Sequence, residues 1–174
     1  DIKNFEIEGM SVGDSLLDYL TKEEINNLHY RWYPKKKYKL LNNFNLKLNT
    51  FEVLEIVVKS EDQNYIIQQV VGGFFYRENF SDCYKKQNEI ALDIQDLFDK
   101  DVKKNSYEKD HAADKTGKSK NNTIQFSFKT KDAIRVSCYD WSEKITKEKN
   151  WVDSLRVTIL SADFRNWINN KAYK

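Results

Sequence analysis

The chain has 174 residues, which is long enough for one domain with a hydrophobic core of its own. Hydrophobic residues make up 40% of it, a composition that excludes intrinsic disorder despite 32% charged residues. The net charge of +2 argues against general nucleic-acid binding, which usually goes with a much more basic domain. No apolar run approaches the about 20 residues that a membrane-spanning helix requires.

The first half of the chain predicts one helical segment followed by strands. Residues 11–28 carry apolar residues at helical spacing, with Ser11 as the expected N-cap. The capping-box pattern from Thr21 to Glu24 suggests that this segment divides into two short helices near residue 21. After Pro34 the apolar residues alternate, which predicts weak strands at 38–41 and 46–48 and stronger strands at 51–59 and 64–76. Within the last of these, Gly72-Gly73 predicts a bulge or a sharp bend.

The second half repeats that order of elements. Residues 79–99 form the clearest amphipathic pattern and predict a helix. Residues 101–122 contain almost no apolar side chains and predict a long polar loop. Three alternating segments then predict strands, and an apolar face predicts a closing helix, at residues 123–129, 133–141, 155–160 and 162–170 respectively.

These elements predict an α+β fold in which helices pack on one face of an antiparallel sheet. We expect a single domain over residues 1–174. The repeated order suggests two α-β-β-β halves, residues 1–78 and 79–174, although no residue-level repeat is visible.

Both cysteines fall on predicted inward faces. Cys83 lies on the helix and Cys138 on a strand, so the two can meet in the core. A disulfide between them is our prediction, and a pair of buried free thiols is the alternative. Catalytic use of either cysteine is disfavoured because neither has a histidine nearby in sequence.

The segment from His29 to Lys39 interleaves aromatic and basic side chains. Such side chains together can hold an anionic strand, a glycan or a lipid surface, while the plainer interpretation is a helix end covered by aromatics. We take the segment as the candidate binding site, with the contact residues Tyr30, Trp32, Tyr33, Lys35, Lys36, Lys37 and Tyr38.

The stretch KDHAADKTGKSKNN from Lys109 to Asn122 looks like a motif but does not complete one. As a phosphate loop it lacks the first glycine, and it precedes a strand where a helix is required. As a metal site, Asp110, His111 and Asp114 fall short of a full ligand set, because His29 is the only other histidine. We therefore predict no metal and no cofactor, and we interpret the stretch as a polar loop.

One catalytic arrangement stays open. Asp140 and Asp153 flank strand ends and could face each other, as the carboxylate pair of a hydrolase does. Turn and cap roles are commoner for such acids, and no hydrolase or dinucleotide motif occurs. We predict no catalytic residues. A small hydrolase using Asp140, Asp153 or His111 is the alternative to a binding protein, and a nucleic-acid module is a further one.

The opening IEGMSVGDSLLDYLTKEEI, with CYDWS at 138–142 and the DHAADKTGKS loop, resembles a group of uncharacterised envelope proteins from AT-rich marine bacteria. More distantly, Gly9-Met-Ser11 before a helix is similar to the entry of small outer-membrane-assembly lipoproteins and of β-lactamase-inhibitor-like domains. The first likeness implies only export, without any known activity, and the second implies a helix-over-sheet fold. Here Leu20-Thr21 stands where the second group has glycine and proline.

We therefore expect a periplasmic or secreted domain. The chain begins at Asp1 rather than at methionine, which suggests a cleaved leader or a trimmed chain, and the predicted disulfide favours an oxidising compartment. The expected function is non-enzymatic binding of a protein or of an anionic envelope component.

Overall fold

The computed structural model describes residues 2–98 and 102–174. Within these residues, one antiparallel sheet of eight strands and four α-helices form an α+β fold, as predicted. The strand order is β1-β2-β3-β4-β8-β7-β6-β5, so β1 and β5 are the edge strands. The strands are β1 (His29–Trp32), β2 (Tyr38–Asn42), β3 (Val53–Lys59), β4 (Ile67–Phe75), β5 (Val102–Asp110), β6 (Lys120–Phe128), β7 (Ala133–Asp140) and β8 (Ser154–Leu160). The helices are α1 (Lys22–Asn27), α2 (Ser81–Phe98), α3 (Glu143–Lys149) and α4 (Ala162–Asn170).

The chain divides into two compact units. The first comprises Asp1–Gly72, Thr130–Ala133 and Thr158–Lys174, and the second comprises Gly73–Lys129 and Ile134–Val157. The predicted single domain, with halves that meet at residue 78, stays a prediction.

In the first unit the core is aromatic. Tyr38 of β2 is buried and packs against Phe164 and Trp167 of α4, with ring centroids 5.0 and 4.7 Å away. The predicted helix over 162–170 is confirmed. It begins at the N-cap Ser161, whose Oγ accepts the Phe164 N–H, and Asp132 Oδ1 accepts the Ala162 N–H at 2.7 Å.

In the second unit α2 packs on the sheet through one buried face. The predicted disulfide is present: Cys83 of α2 bonds Cys138 of β7, with 6.0 Å between their Cα atoms. One turn further along α2, the buried Gln87 donates two side-chain hydrogen bonds, to the Asn122 carbonyl at 3.0 Å and to the Val136 carbonyl at 2.8 Å. These bonds fasten α2 to β6 and β7 at backbone level.

The helix predicted over residues 11–28 is wrong in extent. The structure has a short 3-10 helix at Leu16–Asp18 and then α1, whose N-cap Thr21 forms the predicted capping box with Glu24. Ser11 is not an N-cap, because its hydroxyl donates to the Phe5 carbonyl. Backbone pairing explains the difference: the Gly13 N–H bonds the Ile67 carbonyl, which holds this segment extended beside β4.

The weak strand predicted at 46–48 is also wrong. This segment is an irregular loop, and the Glu8 carboxylate shapes its end by accepting the backbone N–H groups of Asn49, Thr50 and Phe51 at 2.7–2.9 Å. The ring of Phe51 in turn lies where a side chain on Gly72 would project, because a Cβ there would come within 2.6 Å of the ring. Gly72 therefore permits the close approach of this loop to β4.

The long polar loop predicted from residue 101 to 122 is wrong as well. Most of it is a β-hairpin in which nine residues of β5 pair with nine of β6, from Val102↔Phe128 to Asp110↔Lys120. The start predicted for that loop, Asp101, and the end predicted for the preceding helix, Asp99, lie outside the described residues. Besides β5, the sequence also did not predict β1 and α3.

Candidate functional site

The predicted binding segment folds into the edge strand β1, a lysine turn and the start of β2. All four residues of β1 are exposed. Tyr30 and Trp32 keep 50% and 40% of their surface accessible, and their rings meet edge to face at 5.4 Å. Contiguous exposed apolar side chains commonly mark a binding surface. We call Tyr30 and Trp32 the edge aromatic pair.

The other predicted contact residues are divided between core and surface. Tyr38 is buried, and Tyr33 packs against Phe164 at 5.3 Å, so both rings belong to the first unit's aromatic core. The Lys35, Lys36 and Lys37 turn is exposed; Lys35 Nζ donates to the Lys171 carbonyl at 2.8 Å, and Lys37 Nζ lies 5.6 Å from the Tyr38 ring centroid. The structure thus places two aromatics and a cationic turn on the surface and two aromatics beneath it.

The backbone of β1 has an open side. The Tyr33 N–H donates to the Tyr38 carbonyl, which makes these residues a hydrogen-bonded pair of the ladder. Because such pairs alternate along an antiparallel ladder, the register Tyr30↔Leu41 and Trp32↔Lys39 directs the backbone groups of Tyr30 and Trp32 away from β2. The edge aromatic pair and the free edge therefore involve the same two residues.

A second candidate begins at the motif-like loop between β5 and β6. The buried Asp114 carboxylate organises this loop by accepting hydrogen bonds from Thr116 Oγ1 at 2.7 Å and from Ser119 Oγ at 2.7 Å. Ser119 Oγ also accepts the Ser142 N–H, which ties the loop to the start of α3. The Ser119 and Thr116 hydrogen bonds hold the pKa of Asp114 well below its ordinary value. The stretch is thus an ordered turn around one ionised acid.

His111 leads this turn into a cluster of aromatic rings. Its centroid lies 4.5 Å from Trp141, 5.9 Å from Tyr139 and 6.1 Å from Trp151, and the two indoles are 4.6 Å apart. His111 Nδ1 accepts the Ala113 N–H at 3.2 Å. Burial lowers the pKa of His111, which favours a neutral ring. Sequence analysis did not predict this cluster, because it treated residues 101–122 as a loop rather than as a hairpin that brings His111 beside Tyr139 and Trp141.

Arginines continue this surface along the sheet. Arg135 and Tyr139 project from the same side of β7, since their positions differ by an even number. Arg135 Nε donates to Gln125 Oε1 at 2.8 Å, and the Arg156 guanidinium lies 5.6 Å from the Phe75 ring centroid. Burial raises the pKa of Tyr139, and the nearby Arg135 and Arg156 oppose that rise. We call Gln125, Arg135, Tyr139, Trp141, Trp151 and Arg156 the arginine–aromatic face.

The candidate hydrolase carboxylates are partly buried. Burial raises the pKa of Asp153, and the neighbouring charge of Asp140 raises it further. Asp153 Oδ1 accepts the Trp141 N–H at 2.7 Å, so one carboxylate oxygen already has a structural role. Burial also raises the pKa of Asp140. Asp140 precedes Trp141, whose N–H bonds Asp153, so the two acids lie near the same strand end; no hydrogen bond joins either of them to His111 among the described residues.

Over residues 2–98 and 102–174, no group of three or more His, Cys, Asp or Glu side chains could hold a metal ion. No helix in the same part of the chain is long and apolar enough to cross a membrane. No protein-family profile, no curated protein and no solved structure matches this sequence. The function of the candidate sites is therefore inferred from their geometry alone.

Proposed function

We propose that this chain is a non-enzymatic binding domain of the periplasm or the cell exterior, and that it binds a segment of another protein along the β1 edge. The observation that carries the proposal is the edge aromatic pair, two large exposed rings on a strand whose outer backbone groups are free of β2. Binding at a sheet edge needs only these two elements: main-chain groups give affinity and side-chain contacts give selectivity.

The edge also indicates the chemistry of the partner. An extended segment that pairs with the backbone of Tyr30 and Trp32 would place alternate side chains over their rings. Tyr33 and Pro34 lead from Trp32 to the three lysines of the turn, and no acidic residue occurs between His29 and Lys39. We therefore propose an extended partner segment that carries acidic residues beside an apolar or aromatic one.

The compartment is proposed from the disulfide. Disulfide bonds persist in oxidising compartments and are rare in the reducing cytosol. The bond lies in the interior of the second unit, since Cys83 and Cys138 are both buried. Labelling of thiols in natively extracted protein, before any reduction, should detect none; labelling of both cysteines would contradict an oxidising compartment.

The binding proposal can be tested by labelled overlays on separated envelope proteins. We expect the Tyr30→Ser, Trp32→Ser double variant to lose at least about tenfold of the bound signal, because hot-spot aromatics commonly contribute about 2 kcal/mol or more. Leu92→Ser is the matched control, since Leu92 is 60% exposed on α2. Equal binding by the double variant and the wild type would overturn the proposal.

A carboxylate-dependent hydrolase is the second candidate, favoured by the proximity of Asp140 and Asp153. Chromogenic glycosides and esters incubated with the wild type and with Asp153→Asn would test it. Turnover by the wild type that the variant lacks would support catalysis, and equal background rates would exclude it for those substrates.

A further inference from the structure

The second unit contains three arginines that form no ion pair with a carboxylate among the described residues. The whole chain has only five arginines among its 29 basic residues, and three of them, Arg77, Arg135 and Arg156, belong to this unit. Arg77 and Arg156 lie 5.4 and 5.6 Å from the ring centroid of Phe75. Among the described residues none of the three forms an ion pair with a carboxylate. Arginine is weakly hydrated and suits the planar recognition of carboxylates.

Arg156 carries the clearest sign of a missing ligand. Its Nη1 is buried, yet it has no hydrogen-bond partner in the part of the chain that the structure describes. Buried polar groups are almost always paired, and leaving one unpaired is costly. Because Nη1 has no solvent contact as it stands, an anionic oxygen can reach it only if the partly exposed Arg156 side chain turns outward from Phe75, and such a bond would end the unpaired state.

The neighbouring side chains define the rest of the ligand. Gln125 and Arg135 are already joined by a hydrogen bond, in which Arg135 Nε donates to Gln125 Oε1 at 2.8 Å. Trp141 and Trp151 are partly exposed and meet at 4.6 Å, and Lys149 Nζ lies 4.9 Å from the Trp151 ring centroid. Indole faces pack against the C–H faces of pyranose rings, while amide and guanidinium groups bond hydroxyls and carboxylates.

We propose that the arginine–aromatic face binds an acidic polysaccharide whose sugars carry carboxylates. The guanidinium groups of Arg135 and Arg156 select an anion, and the indoles select a ligand with flat apolar faces. Since Asp140 and Asp153 lie beside Trp141, the carboxylate is expected at the arginines and the sugar ring at the indoles. The disulfide of the same unit is typical of oxidising compartments, where such glycans occur and single-stranded nucleic acids do not normally do so. The site shares no residue with the β1 edge, but the preference for a glycan over a nucleic acid rests on the compartment proposed above.

The test is a binding titration of the complete domain with polygalacturonate fragments, a polymer of uronic acid. Dextran is the neutral control polymer, and oligothymidylate is the competing anion with stackable bases. We expect saturable binding of polygalacturonate that weakens as salt is added, and no binding of dextran. Equal binding of both polysaccharides, or no binding of the uronate polymer, would overturn the proposal. Tighter binding of oligothymidylate would overturn it in favour of nucleic acid.

Arg156→Met separates a binding role from a structural one. Methionine keeps the apolar stem and removes the unpaired donor, so we expect unchanged or raised thermal stability together with at least about tenfold weaker polygalacturonate binding. Arg31→Met, an arginine on the exposed strand β1, is the matched control and should bind within about twofold of the wild type. Unaltered binding by Arg156→Met would contradict the proposal.

A second variant keeps the test valid if Arg156→Met unfolds. Arg156→Lys retains the charge but loses the planar fork, and at a site that binds a carboxylate through two donors this exchange is not conservative. We expect a folded variant with several-fold weaker binding of polygalacturonate. Wild-type affinity in the folded Lys variant would overturn the assignment of Arg156.

Discussion

The two edge strands of the sheet differ in length and in what they present to solvent. β5 has nine residues and displays mainly charged and polar side chains, among them Lys103, Lys104, Glu108 and Lys109. β1 has only four residues and displays the edge aromatic pair. Charged side chains on a long edge prevent pairing with other chains, whereas a short aromatic edge permits a limited contact. The comparison indicates that the side chains of β5 prevent another chain from pairing with it, whereas β1 can pair with a partner segment.

The largest expected effect is a loss of stability on removal of the disulfide that joins α2 to β7. Cys83→Ala with Cys138→Ala removes a cross-link between residues 55 apart in sequence, which we expect to cost about 4 kcal/mol of unfolding free energy. Urea unfolding followed by tryptophan fluorescence measures this loss. A change below about 1 kcal/mol would show that the second unit does not depend on its cross-link.

The Gln87→Leu variant should weaken the same unit by a smaller amount. Leucine is similar in size but leaves the Asn122 and Val136 carbonyls without their buried donor, at a cost of about 1–3 kcal/mol. Hydrogen exchange should show faster opening of β6 and β7 amides than of β1 and β2 amides. Uniform acceleration across both edges would contradict a local role for Gln87.

The turn that joins β5 to β6 should be sensitive to acid. The pKa of Asp114 is depressed by the Ser119 and Thr116 hydrogen bonds, so the ionised carboxylate stabilises the folded state above its ordinary pKa of 3.8. That stability is lost as the pH falls from about 4 toward the depressed folded pKa. Asp114→Asn should melt earlier than the wild type at pH 7 and should show a smaller loss on acidification.

The difference between the two melting profiles isolates Asp114. Burial raises the pKa of Asp140 and Asp153, so their contribution has the opposite sign: folding stability falls as the pH rises through their folded pKa values. Both acids are present in the wild type and in Asp114→Asn, so their effects cancel in the subtraction. Parallel profiles for the two proteins would exclude the proposed role of the Asp114 carboxylate.

The sequence predicted those features whose apolar residues recur with a regular period. The disulfide and α4 followed from side chains repeated on one face, Cys83 and Phe164 among them. β5 was missed because an exposed edge strand buries little and therefore lacks the alternation that marks a strand. The arginine–aromatic face was missed for another reason: its residues lie on or beside β6, β7 and β8, and the order of these strands in the sheet does not follow from the sequence. The edge aromatic pair lay within the predicted binding segment, but the burial of Tyr38 depends on α4, which is more than a hundred residues away in sequence.

Replacing charged side chains of β5 by apolar ones should allow this edge strand to pair with other chains. Lys104→Val with Glu108→Val replaces two exposed charges on one side of the strand by residues with high strand propensity. We expect a change of less than about 0.5 kcal/mol in stability but concentration-dependent self-association, measured by analytical ultracentrifugation. A monomeric double variant would show that charge is not what protects this edge.

Making β1 resemble β5 is the reciprocal change, and its effect on folding should be the smallest. Trp32→Lys exchanges an exposed ring for a cation on a strand whose four residues contribute little to the core, so we expect stability within about 0.5 kcal/mol of the wild type. Binding of the partner protein in the overlay assay should nevertheless fall at least about tenfold, because the substitution removes the aromatic ring that contacts the partner and leaves a cation in its place. Arg31→Lys, on the same strand and equally exposed, should leave that binding unchanged. If both variants bind like the wild type, the two edges do not differ in function, and the aromatic pair has no role in binding.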